Sequence, residues 1–134
     1  MTTLLSVIAL VAVLALFVAF RWWAARSRYL PPAQAKALWK HFAAAEAQPD
    51  PHRRVLDAAK TFESALKAKG YKGSLSDMLR KAGPAIPAVQ PVWDALKLRN
   101  RLAHEPGAQA DAKSADRAAA AFGRALTVFL GPRP

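Results

Sequence analysis

The run LLSVIALVAVLALFVAF, Leu4 to Phe20, constrains this chain most: seventeen residues with Ser6 as the only polar side chain. As a helix it covers roughly 25 Å, and Trp22–Trp23 carry it into the depth of lipid headgroups. An indole pairs an apolar body with a polar N–H, which suits a water–lipid boundary. A helix of this purity has no place in the core of a 134-residue chain, so the run is predicted to cross a membrane once.

A cleaved signal peptide would place basic residues before the run and small residues after it. Here Met1-Thr2-Thr3 is uncharged and the bulky FRWW follows, so a retained anchor is expected. The boundary is drawn by Arg21, Trp22, Trp23, Arg26 and Arg28. Of a net charge of +11, residues 21–40 supply five cations (those three arginines, Lys36 and Lys40) and no acid. Lysine and arginine resist translocation, which predicts an outward amino terminus and a cytoplasmic carboxy-terminal part. The same cations are expected to touch anionic lipid headgroups.

Beyond the run the chain divides into an anchor at 1–28, a juxtamembrane helix and linker at 29–49, and a helical domain at 50–134. Pro31-Pro32 suit the first turn of a helix reaching about Ala47, in which Trp39 and Phe42 either pack on the domain or lie on the membrane. Asp50 is a good N-cap, and Val55, Ala58, Ala59, Phe62, Ala65 and Leu66 then recur at helical spacing. Gly70 and Gly73 permit the left-handed turn that ends such a helix. Ser74, three before Asp77, caps a short helix with Leu75, Met78 and Leu79. Three prolines between Pro84 and Pro91 predict irregular chain, followed by a helix to His104 and a last one from Ser114 to Leu130. No stretch alternates as a strand would, so the fold class is all-α: one transmembrane helix and a small helical bundle.

The chemistry open to the chain is narrow. There is no cysteine, which excludes disulfides, thiolate zinc sites and thiol catalysis. His41, His52 and His104 form no His-x-x-x-His pair, so neither metal nor cofactor is expected.

The segment DALKLRNRLAHEP, residues 94–106, mixes cations into an apolar stripe. At about 100° per residue, Val92, Ala95, Leu96, Leu102 and Ala103 share a face, while Asp94, Lys97 and Arg101 lie opposite. Arg99 falls in the middle of the apolar arc, with Asn100 and His104 at its edge beside Trp93. A buried guanidinium is costly unless paired, so Arg99 should meet a carboxylate or line a cleft or interface. Glu63 is the best internal partner, at the edge of its own helix stripe; Asp57 projects away. Arg99 and His104 diverge by roughly 140° and need a long side chain, a frayed end or a second protomer to act together.

At LRNRLAH the sequence resembles the HEPN superfamily, small helical bundles marked by an arginine, four to six residues, then a histidine. Arg99, Asn100 and His104 fit that pattern. The resemblance extends over about residues 52–130, through VLDAAKTFESALKAKGYKGSLSDMLRKA, VWDALKLRNRLAHEP and an Ala-rich last helix, to a group of short bacterial HEPN-like proteins that often have an amino-terminal transmembrane segment. Many members resemble metal-independent ribonucleases that work as dimers with both motifs facing one cleft. That implies an HEPN-like domain on a bacterial inner or cell membrane, a homodimer, and RNA as substrate. His104 would move protons, Arg99 neutralise the phosphate, Asn100 orient a group, and Arg101 and Lys97 contact RNA or lipid. Members commonly carry an acid where Ala59 stands here, so that role is absent or passes to Asp57 or Glu63. Other members bind nucleotide or protein without catalysis, and a scaffold module at the membrane stays open beside the nuclease.

Overall fold

The computed structural model describes residues 1–134, apart from the side chains of 25–27, so the predicted boundary residue Arg26 lies outside the described side chains. Six α-helices and one 3-10 turn make up the chain among the described residues, with no strand. They are α1 (Thr2–Ser27), α2 (Pro32–Glu46), α3 (Pro51–Ala68), α4 (Leu75–Ala82), the 3-10 turn Gly83–Ala85, α5 (Gln90–His104) and α6 (Ala112–Leu130).

α1 stands apart from the rest. Its apolar stretch Thr2–Ala24 is 23 residues with none buried, about 35 Å against a hydrocarbon core of about 30 Å. It is long and apolar enough to cross a membrane, and its side chains are greasy all round, as lipid on every side requires.

α2, α3, α5 and α6 build the bundle around one core. Every apolar position expected on α3 is buried, from Val55 to Leu66, and so are Ala118, Ala119, Phe122, Leu126 and Phe129 on α6. The rings of Phe62 and Phe122 meet at 5.3 Å between centroids in the middle of that interface. The helix set apart by sequence as juxtamembrane joins the same core: Ala35, Trp39, Phe42 and Ala45 of α2 are buried, with the Trp39 and Phe42 rings edge-on at 5.8 Å. α6 lets α2 come close through Gly123, where a Cβ would sit 3.0 Å from the Phe42 ring.

Local chemistry sets the helix ends. The Asp50 side chain accepts from the His52 N–H, and Asp111 accepts from the Ser114 N–H, starting α6 two residues earlier than expected. Ser74 and Asp77 form a reciprocal capping box. At the end of α3, Gly70 has φ 96°, and the Tyr71 N–H reaches the Leu66 carbonyl while the Gly70 N–H reaches Lys67. This is the left-handed stop that a Cβ would disfavour.

Three fasteners hold the periphery. Arg54 donates from Nε and Nη2 to the Gln48 carbonyl at the end of α2 and from Nη1 to Asp116 of α6 at 2.6 Å. At the junction with α1, the Leu30 N–H donates to the Phe129 carbonyl at 2.8 Å, and Lys69 Nζ donates to the Arg28 carbonyl at 2.8 Å. Arg133 of the tail pairs with Glu46 and lies over the Trp39 and Phe42 rings, 5.5 and 5.4 Å from their centroids. Glu46's hydrogen bond and charge raise the Arg133 pKa further above the ordinary guanidinium value.

Candidate functional site at the end of α5

α5 buries Val92, Ala95, Leu96 and Leu102 and turns Asp94, Lys97 and Arg101 to solvent, as its periodicity predicts. Ala103 departs from expectation. It shares the arc of Val92 and Leu96 yet is exposed, because nothing packs over that face in the last turn. The arc therefore opens to solvent where Arg99 sits, and Arg99 is half-buried rather than sealed.

The expected clamp to Glu63 is not formed. Glu63 pairs with Lys67, one turn on along its own helix, at 3.2 Å. The helix directions explain this. Arg54–Asp116 near the starts and Phe62–Phe122 further along make α3 and α6 parallel. α5 returns into α6 through residues 105–111 and so runs against both. Arg99, five residues before its end, is thus level with about the second turn of α3, whereas Glu63 lies roughly seven residues, about 10 Å, further along that helix.

Arg99 instead donates from Nη1 to Oδ1 of Asn100 at 3.0 Å. Adjacent residues on a helix lie about 100° apart, so the two side chains lean toward each other to make this bond. Asn100 in turn shares its helix face with His104, one turn later. Asn100 and His104 are four apart, which puts their Cβ atoms about 5–6 Å from one another. Asn100 is half-buried and His104 exposed in the final turn, where the helix dipole favours a cation. Among the described residues Arg99 has no ion pair, and no three His, Asp or Glu side chains converge as a metal site would need.

Lys97 and Arg101 do not join this group. Lys97 is exposed, and Arg101 lines a separate groove of about 530 Å³ between α5 and α6. Arg117 and Arg124 of α6 line the same groove, as do Asp94 and Asp111. Sequence reading missed these two α6 arginines, although their spacing of seven places them on one helix face. It also missed Arg54, whose three-way bonding has no local sequence signal. Arg21, Trp22, Trp23 and Arg28 are exposed around the end of α1, where a boundary set would be.

Comparison with protein-family models, curated proteins and solved structures finds no match to this chain.

Proposed function

We propose that this chain is a membrane-anchored HEPN-like protein whose α5 face cleaves RNA without a metal ion, as a homodimer with its bundle in the cytoplasm. The observation that carries this reading is the state of Arg99. Its guanidinium is half-buried, bound to a neutral amide and paired with no carboxylate among the described residues, so its charge is not spent on internal packing.

The chemistry follows from the three side chains. Neutral His104 takes the proton of a ribose 2′-hydroxyl, whose oxygen attacks the adjacent phosphorus. The bond from phosphorus to the 5′-oxygen breaks, and an imidazolium of either copy protonates the leaving oxygen. The products are a 2′,3′-cyclic phosphate and a 5′-hydroxyl. Arg99 carries the negative charge gathering on the phosphoryl oxygens, and Asn100 holds Arg99 on the side of the imidazole. A second copy would supply the opposite wall that one exposed helix end lacks.

The exposed imidazole favours one other reading. Nothing described orients His104, and a catalytic base is ordinarily fixed by a partner. The same face would then bind nucleotide, RNA or a protein as a scaffold at the membrane. Incubating RNA with the full-length protein in detergent and excess chelator tests the choice. The nuclease reading expects products ending in a 2′,3′-cyclic phosphate. Binding without any cleavage supports the scaffold instead.

A further inference from the structure

A groove larger than the one beside Arg101 lies where α1 meets the bundle. It encloses about 840 Å³ and takes its walls from Trp23 at the end of α1, Tyr29, the start of α2 with Ala35, Lys36 and Trp39, and the returning tail from Leu130 to Pro134. Most of that lining is apolar, and aromatic rings and prolines dominate it. We propose that this groove holds one anionic membrane phospholipid, with its acyl chain against the rings and its phosphate at Lys36.

Two observations choose this occupant over a peptide or a second protein. The groove adjoins a helix long and apolar enough to cross a membrane, and Trp23 of that helix forms part of its wall. Rings with polar edges there match the layer between acyl chains and headgroups. Charge is complementary: residues 21–40 hold five cations and no acid, and Lys36 brings one of them into the groove wall.

The shape is held from beneath. Leu30 is buried and fastened to Phe129, and Arg133 clamps the tail over Trp39 through Glu46. The proposal rests on α1 being a retained membrane span but not on any activity of α5, so loss of RNA cleavage would leave it intact.

The test uses the full-length protein in detergent micelles containing equal phosphatidylglycerol and phosphatidylcholine, read by native mass spectrometry. One phosphatidylglycerol should be retained per chain, in preference to phosphatidylcholine. Lys36→Gln should weaken that retention about fivefold, the worth of one cation near an anionic headgroup. Lys40→Gln, on the same helix but outside the groove lining, should leave it unchanged. In a chain with Trp22, Trp23 and Trp93 replaced by phenylalanine, which keeps a ring on the Trp23 wall, phosphatidylglycerol with brominated acyl chains should quench the Trp39 fluorescence. Equal loss from both lysine variants, equal retention of both lipids, or an unquenched Trp39 would each overturn the site in favour of diffuse surface attraction. Circular dichroism of each variant separates these outcomes from misfolding.

Discussion

Arg99 reaches sideways to Asn100, Nη1 to Oδ1 at 3.0 Å, instead of inward to an acid. That single choice separates a cation available to a ligand from one consumed by packing. Arg99→Ala should therefore cost about 1 kcal/mol or less in urea unfolding, the net worth of one half-exposed hydrogen bond. RNA cleavage should fall about a hundredfold or more, as when one charge-stabilising donor is removed from a reacting centre. A stability loss of several kcal/mol would mean that the guanidinium is sealed after all.

Arg54 should behave in the opposite way. Its side chain is 14% exposed and ties the end of α2 to α6 through Gln48 and Asp116. Arg54→Ala leaves a carbonyl and a carboxylate without their donor, with an expected loss of about 1.5–3 kcal/mol in the same assay. RNA cleavage per folded molecule should not change.

Gly123→Ala sets two effects against each other. Alanine improves helix propensity by about 1 kcal/mol. Its Cβ would meet the Phe42 ring at 3.0 Å, and that ring is 1% exposed with Trp39 at its edge. Overpacking of this kind costs about 1–3 kcal/mol, so the variant should be less stable by about 1 kcal/mol. A melting temperature above that of the wild type would show that α2 slides easily on α6.

Acid should loosen the helix starts. Hydrogen bonds from Ser74 hold the Asp77 pKa below the ordinary 3.8, and those from Ser114 do the same for Asp111. A carboxylate whose folded pKa is lowered adds stability that is present above its unfolded value and disappears as the pH falls through the folded one. The melting temperature should thus decline as the pH drops below 3.8, and an Asp77→Asn, Asp111→Asn double variant should show a shallower decline.

Much of the architecture is legible in the chain because it is written in short-range codes. Val55 to Leu66 repeat with the helical period, Ser74 with Asp77 spells a capping box, and Gly70 marks a stop; each needs only neighbours in sequence. The Arg99 partner was not legible, since wheels give the angle of a residue but not its height along a packed pair. Glu63 has a suitable angle and the wrong height. Ala103 was misassigned for a related reason: periodicity does not say where the covering helices end. The periodicity of α2 leaves Trp39 and Phe42 open between core and membrane, because an apolar face does not say what covers it. Gly123, whose missing Cβ makes that docking possible, carries no signal until α2 is in place.

The claim at the centre is that the imidazole of His104 and the guanidinium of Arg99 serve one reaction. The most direct measurement compares RNA cleavage by full-length wild type, His104→Ala and Arg99→Ala under chelation, each confirmed as folded. Cyclic-phosphate products are expected from the wild type and should be nearly absent from both variants. Cleavage by His104→Ala at the wild-type rate would contradict a shared reaction.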